Sequence, residues 1–306
     1  MHDLNYDQNC ITRNATAWLT TLHVLRQPVI MTAMQRMFLS GFLLLILVAC
    51  STPTPVPPPT IVPGALSVLT LGDSQTKGYG DERVKIPETG GYPAMMIVPI
   101  IRLRPGSYVV NFGHGGWDST ALVQGDGKDP SQLDLALKRQ PPANIICIWI
   151  GFNDLLLHNL PQEEESSLRI FTENIDKILS TLSGRGATLA IALLDDPSMR
   201  PSVRDGSYIA DFAWYHDSHN HQADFERLSR RTEAFNRVIT SKASQYGTIL
   251  VNLSKPGLFD DRRFMSDDGL HPSSAGYAKI AAIWLEALLP YMGNAQTLWL
   301  TVTPPY

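Results

Sequence analysis

The chain has 306 residues, of which 44% are hydrophobic and 18% are charged, which suits one domain with a full core. Its 25 basic and 29 acidic side chains give a net charge of −4. Since the sequence contains no run of basic residues of the nucleic-acid-binding type, a nucleic acid partner is not expected.

An apolar segment near the front of the chain has the features of a signal peptide. Residues 41–49 form an apolar run that follows Arg36 and is too short to span a bilayer comfortably. Residues 34–50 are therefore predicted to be a signal peptide, within which translation is expected to start. Residues 1–33 show no apolar periodicity long enough for a core, which predicts an upstream extension outside the fold.

The signal segment ends in Leu47-Val48-Ala49-Cys50, which resembles the lipobox of bacterial lipoproteins. The resemblance implies that Cys50 carries a diacylglyceryl anchor on the outer side of the bacterial membrane, at the cell surface. An ordinary secretory signal or a buried apolar helix is the alternative. The Pro/Thr-rich residues 51–63 are predicted to form a polyproline II linker that reaches roughly 40 Å and holds a domain off the membrane.

Residues 64–292 are predicted to form the folded domain, and residues 293–306 form a tail without an assigned function. Within the domain, five short apolar runs alternate with helical patterns. The runs are residues 67–71, 108–112, 145–150, 188–194 and 248–253. They are continuous, as expected for parallel strands covered on both faces, and they predict a three-layer α/β/α domain. Ligands of such domains bind beyond the carboxyl ends of the strands.

Three helices are predicted from apolar residues that recur at intervals of three and four. They cover residues 168–182, 225–239 and 277–288. Residues 195–222 are predicted to be the longest loop, and loops of that length are commonly functional, for instance as lids. Cys147 lies inside a strand pattern, where a lone thiol is usually a packing residue.

A serine and an acid–base pair are the first candidates for chemistry. Ser74 directly follows the first strand in Leu71-Gly72-Asp73-Ser74, where it is either a nucleophile or a helix-capping residue. The segment Asp268-Gly269-Leu270-His271-Pro272 supplies either a general base with its carboxylate or a capping pair for the last helix. The sequence has no Gly-x-Ser-x-Gly elbow, which argues against the α/β-hydrolase family.

Two further motifs follow the second and third strands. Gly116 ends the motif Asn111-Phe112-Gly113-His114-Gly115-Gly116. It is either a backbone N–H donor to an oxyanion or part of a flexible turn. Asn153 lies in Gly151-Phe152-Asn153-Asp154. Its side chain either donates to the same oxyanion or forms an Asx turn. Trp117 either lines an acyl pocket or packs in the core.

These four motifs, in this order, resemble those of the GDSL/SGNH hydrolase family over roughly residues 66–290. The resemblance implies a flavodoxin-like, five-stranded parallel sheet and hydrolysis of carboxylic ester bonds through an acyl-enzyme. Gln75 stands where the family signature has leucine. That position is expected to carry no chemistry.

The resemblance also implies a role for each candidate residue. Ser74 would be the nucleophile, His271 the general base and Asp268 the acid that orients it. The oxyanion hole would consist of the Ser74 and Gly116 backbone N–H groups and the Asn153 side chain. Neither a metal nor an organic cofactor is expected.

Alternatives remain at the level of both site and function. His216, His219 and His221 could suggest a metal, but their spacing is a weak match to zinc sites, and a polar loop near the substrate is favoured. The expected substrate is an acyl-ester small molecule or an acylated glycan. The alternative functions are an O-deacetylase or acetyltransferase acting on cell-wall or plant glycans, and an inactive surface binding module.

Overall fold

The computed structural model of the protein describes residues 64–292. The upstream extension, the signal peptide with Cys50, the linker and the C-terminal tail lie outside the described residues, so the predictions made for them stay predictions. Within the described range, no helix is both long enough and apolar enough to cross a bilayer.

Five parallel strands form one sheet in the order β2-β1-β3-β4-β5. The strands are β1 (Ser67–Gly72), β2 (Tyr108–Asn111), β3 (Ile145–Trp149), β4 (Thr188–Ala192) and β5 (Ile249–Val251). In the register of the sheet, Val68 of β1 is the partner of Val109 on one side and of Ile145 on the other. Each strand falls on one of the predicted apolar runs, which confirms the predicted parallel α/β fold.

Helices cover both faces of this sheet. They are α1 (Ser74–Lys77), α2 (Gly91–Leu103), α3 (Ser119–Gln124), α4 (Gln132–Lys138), α5 (Phe152–Leu157), α6 (Glu164–Leu182), α7 (Pro201–Arg204), α8 (Ala213–His216), α9 (His221–Gln245) and α10 (Ser274–Leu288). The chain winds from β1 to β2 in one direction and from β3 to β5 in the other. Since crossovers are right-handed, the intervening helices lie on opposite faces.

Aromatic contacts hold each helical layer together. In one layer, Tyr92 of α2 stacks on Trp284 of α10 with 5.6 Å between ring centroids. In the other, Phe171 of α6 stacks on Phe235 of α9 at 4.2 Å. All four rings are buried, so the two layers and the sheet between them form one core.

Burial within the sheet follows the position of each strand. Every residue of β1 and β3 is buried, because these strands have a neighbour on both sides and a helical layer on both faces. The edge strand β2 is half-buried throughout, and β5 leaves Leu250 exposed. Buried Cys147 lies in the centre of β3, and burial raises the pKa of its thiol.

The segment at residues 195–222 is not the continuous loop that the sequence predicted. It contains α7 and α8, and α9 begins before the segment ends. Pro197 and Pro201 each begin a helical turn, where the missing N–H of proline costs no hydrogen bond. Trp214 is buried and donates its Nε1–H to the Leu156 carbonyl at 2.7 Å, which fixes the segment to the domain.

Candidate active site

The turn after β1 presents Ser74 at the carboxyl end of a central strand. Gly72 is required there, because a Cβ at this position would lie 2.2 Å from the Trp149 carbonyl oxygen. Asp73 then caps α1 by accepting the Gln75 N–H at 2.9 Å. Ser74 is the first residue of the helix and is half-buried, so its side chain can be reached from solvent.

Ser74, His271 and Asp268 form a continuous hydrogen-bonded chain. The distance from His271 Nδ1 to Asp268 Oδ2 is 2.7 Å, and the distance from His271 Nε2 to Ser74 Oγ is 2.9 Å. A carboxylate only accepts hydrogen bonds, so Nδ1 carries the proton of the neutral ring. Nε2 is therefore the acceptor that faces the Ser74 hydroxyl.

Asp268 is held as a carboxylate by its surroundings. Partial burial on its own would raise its pKa, but hydrogen bonds and charge from His271, together with the Ser266 hydroxyl, lower the pKa overall. Its Oδ1 also accepts the N–H groups of Leu270 and His271, both at 2.8 Å. The carboxylate is thus ionised at neutral pH and fixed in its orientation toward the ring.

The acid and the base share a closed loop ahead of α10. The Ser266 N–H donates to the His271 carbonyl at 2.8 Å, and Gly269 takes the left-handed conformation at φ +65° inside the turn. The N-cap of α10 is Ser273. Asp268 therefore does not cap the last helix, which was the alternative interpretation of this motif.

Asn111 ties the loop after β2 to the helix that carries the serine. Its Oδ1 accepts the Gly113 N–H at 2.9 Å, and its Nδ2 donates to the Thr76 carbonyl at 2.9 Å. A Cβ on Gly113 would lie 2.2 Å from the Lys77 nitrogen, so the loop and α1 approach backbone to backbone. This contact explains why the motif needs Asn111 and a glycine two residues later.

Three potential oxyanion donors come from the ends of the neighbouring strands β2, β1 and β3. Within residues 64–292, no acceptor binds the backbone N–H of Ser74 or of Gly116. Gly116 is exposed and takes a left-handed conformation at φ +77°. Asn153, in the first turn of α5, donates one Nδ2 hydrogen to the Trp117 carbonyl at 2.8 Å. This bond fixes the amide and leaves its second hydrogen for another acceptor.

Two carboxyl groups behind the site are fully buried. Burial raises the pKa of Asp73 to about 7 and that of Asp154 to about 6. Asp154 accepts the Ser119 N–H at 2.8 Å and the Ser119 hydroxyl at 2.5 Å. This pair fixes α5, and with it the neighbouring Asn153, to the N-terminus of α3.

The three histidines of the 195–222 segment do not share a site. His216 pairs with Asp217 at 2.8 Å, and His221 stacks on Tyr215 with ring centroids 3.9 Å apart. In the described part of the chain, one group of side chains has ligand atoms close enough for a shared cation. It consists of His114, Asp126 and Asp129.

Trp117 is a packing residue beneath the loop that carries Gly116. Its side chain is 5% exposed and stacks on the His114 ring with 4.2 Å between centroids. Its Nε1–H donates to Asp126 at 3.4 Å. Of the two interpretations of this tryptophan, the structure supports packing, and its carbonyl orients Asn153.

Two residues near the site gave no signal in the sequence. Tyr79 is 39% exposed, has its ring centroid 5.6 Å from that of His271 and lies against Gly115. Arg200 is fully buried and donates to the Gln75 side chain. Gln75, at the position expected to carry no chemistry, is buried and accepts this hydrogen bond.

A doubly wound parallel sheet with polar side chains from several strand ends at one edge defines an α/β protein with a ligand site at that edge. The family model of the GDSL-like lipase/acylhydrolase family matches residues 70–279, so the chain belongs to this family. It is an enzyme that hydrolyses ester bonds. The family resemblance predicted from the sequence is confirmed.

Solved structures share the fold at low sequence identity. One is a variant of Axe2, an acetyl-xylooligosaccharide esterase from Geobacillus stearothermophilus, with a TM-score of 0.51 and 16% identity over 76% of this chain and 96% of that chain. Another is the lipase Lip_vut3 from a goat rumen metagenome, with a TM-score of 0.50 and 19% identity over 73% of this chain and 97% of that chain. No curated protein gives a significant match. The predicted SGNH hydrolase fold is confirmed.

Proposed function

We propose that the protein cleaves carboxylic esters with Ser74 as nucleophile, His271 as general base and Asp268 as the orienting acid. The observation that carries the proposal is the hydrogen-bonded chain of 2.9 Å and 2.7 Å through these three side chains. Ser74 and His271 are 197 residues apart in the sequence. Their contact is thus a product of the fold and is not a local turn.

In the first half of the reaction, Ser74 Oγ attacks the acyl carbon as its proton passes to His271 Nε2. The carbonyl electrons move to oxygen, and the oxyanion accepts hydrogen bonds from the Ser74 and Gly116 N–H groups and the free Asn153 amide hydrogen. Collapse of this intermediate breaks the ester bond. The departing alcohol takes the proton from His271, and the acyl group stays on Ser74.

In the second half, water attacks the acyl-enzyme while His271 accepts its proton. The same donors stabilise the second oxyanion, and collapse returns the proton to Ser74 Oγ and releases the carboxylic acid. Asp268 stays ionised throughout and stabilises the imidazolium that forms in each half.

The direct test is Ser74→Ala in the full chain, with Ser254→Ala, an exposed serine outside the site, as the matched control. Initial rates on p-nitrophenyl acetate and far-UV circular dichroism are compared. The proposal is supported if Ser74→Ala loses turnover with an unchanged spectrum and Ser254→Ala keeps its turnover. Retained turnover in folded Ser74→Ala contradicts it.

For the substrate, we propose an acyl-ester small molecule or an acetylated glycan. The fold is shared with proteins named as an acetyl-xylooligosaccharide esterase and as a lipase, which motivates both arms of one assay. Acetate release from acetylated xylan or peptidoglycan favours a carbohydrate deacetylase, and fatty acid release from long-chain esters favours a lipase. Absence of fluorophosphonate labelling in the wild type would contradict Ser74 as an activated nucleophile.

We also propose that Cys50 anchors the enzyme to the outer side of a bacterial membrane. The support is the sequence Leu47-Val48-Ala49-Cys50 followed by the proline-rich linker. Cys50→Ala should abolish incorporation of labelled palmitate, because the acyl groups are attached through this residue. Thr52→Ala, in the linker, is the control and should keep the label. Palmitate incorporation into Cys50→Ala contradicts the anchor.

A further inference from the structure

Arg200 is a fully buried cation whose position is fixed from several sides. It lies between the end of β4 and α7, and its Nε and Nη2 donate to the two carboxylate oxygens of Asp195 at 2.8 and 2.7 Å. Its guanidinium also lies over the rings of Phe152 and Phe259, at 4.1 and 4.5 Å from their centroids. The bidentate pair and the two rings leave the guanidinium little freedom to move.

The remaining donors of Arg200 reach the two loops that carry the proposed nucleophile and base. Nη2 donates to Gln75 Oε1 at 2.7 Å, and Gln75 directly follows Ser74. Nη1 donates to the carbonyl of Leu270, which directly precedes His271. One rigid side chain thus binds the neighbours of both residues.

A third contact extends to the proposed oxyanion donor on α5. One of the two rings that Arg200 covers belongs to Phe152, which directly precedes Asn153 in the first turn of that helix. The three segments that supply the serine, the amide and the histidine therefore meet at one guanidinium group. No partner of Arg200 is itself a member of the proposed catalytic set.

We propose that Arg200 is the positioning residue of this active site. It sets the distance between the Ser74 turn and the His271 loop, and it aligns the first turn of α5. The inference rests on the proposed function of Ser74 and His271. A displacement of about 1 Å between reacting groups can cost on the order of a hundredfold in rate, so a fixed link between segments this distant in sequence has a catalytic effect.

Gln75 gains a role from the same geometry. Its side chain is 1% exposed, and its Oε1 is the acceptor that connects the Ser74 turn to the guanidinium. A leucine, which the family signature carries there, would fill a similar volume but could not accept this bond. Gln75→Leu therefore removes one arm of the link and leaves the Arg200–Asp195 pair intact.

A purely structural role for Arg200 makes a different prediction, which a second buried arginine can test. Arg227 is also buried, donates to the Asp224 carboxylate at 2.7 Å and donates to the Asn159 carbonyl at 2.9 Å. Like Arg200, it pairs with a carboxylate and a backbone carbonyl, but within the described residues none of its hydrogen bonds reaches Ser74, Asn153 or His271 or a residue next to them. Arg227→Met is thus the matched control for loss of a buried ion pair.

The experiment compares Arg200→Met, Arg200→Lys, Gln75→Leu and Arg227→Met with the parent full chain. Measurements are kcat and KM on p-nitrophenyl acetate, the rate of inactivation by a fluorophosphonate, and Tm. Arg200→Met should lower kcat and the inactivation rate about a hundredfold with KM within about twofold. Arg200→Lys should recover part of the loss, because it keeps the charge without the fork.

Gln75→Leu should lower kcat about tenfold, and the buried Arg200 N–H that it leaves unpaired should also lower Tm by a few degrees. Arg227→Met should lower Tm and leave kcat per folded molecule unchanged. A kcat of Gln75→Leu equal to that of the parent overturns the proposal, even if Arg200→Met does not fold. A fall of kcat in Arg227→Met as large as that in Arg200→Met also overturns it. Turnover by Ser74→Ala would instead contradict the proposed function.

Discussion

Asp73 is buried at the N-terminus of α1, and burial raises the pKa of its carboxyl from 3.8 to about 7. Between these two values the folded protein keeps a proton that the unfolded chain releases, so the free energy of unfolding falls as pH rises. One pKa unit corresponds to about 1.4 kcal/mol, so the total loss by pH 7 is on the order of 4 kcal/mol. Asp73→Asn removes this loss, because an amide does not ionise and its oxygen can still accept the Gln75 N–H.

Urea unfolding of the full chain at several pH values between about 4 and 8 measures this effect. The stability of Asp73→Asn relative to the parent should increase with pH, from near zero at about pH 4 to a few kcal/mol at about pH 8. Asp118→Asn is the control, because Asp118 caps α3 through the Ala121 N–H at 2.8 Å but is only half-buried. Parallel stability curves for Asp73→Asn and the parent would contradict a raised pKa of the Asp73 carboxyl in the folded protein.

Three further predictions concern the site. Asn153→Ala should lower kcat about 100- to 1000-fold in initial-rate assays, and an unchanged kcat would exclude its amide as an oxyanion donor. Asp268→Asn should lower kcat on the order of 10⁴-fold, because an amide favours the wrong tautomer of His271, and rates near the parent's would contradict this orienting role. In thermal unfolding, Gly113→Ala should lose far more stability than Gly116→Ala. The Cβ of an alanine at position 113 would lie 2.2 Å from a backbone nitrogen. At position 116 the Cβ would meet open space, and the left-handed backbone would cost only about 1–2 kcal/mol. Equal losses would contradict the backbone contact at Gly113.

The sequence predicted the sheet well because burial on both faces leaves a clear pattern. The runs at residues 67–71 and 145–150 differ from β1 and β3 by one residue at one end. At β5 the apolar run at residues 248–253 is twice as long as the strand, because this edge strand pairs only with β4 over three residues. Apolar character alone does not show where ladder pairing stops.

The candidate site was predictable where each residue follows a strand within a short motif. Ser74 and Asn153 lie two and four residues beyond the ends of β1 and β3, so the rule on strand ends places them at the same edge of the sheet. Arg200 could not be predicted in this way, because its partners Gln75 and Leu270 are 125 and 70 residues away. Pro197 and Pro201, on either side of Arg200, lie in the segment predicted to be a loop, although each begins a helical turn.

In the proposed reaction, an acyl group is transferred to Ser74 before water releases it. Rapid acid quench of the full chain with a p-nitrophenyl ester, followed by intact-mass and peptide mass spectrometry, tests this directly. We expect one acyl adduct per chain, located on the peptide that contains Ser74 and absent from Ser74→Ala. An adduct on another residue, or turnover in Ser74→Ala, would contradict it.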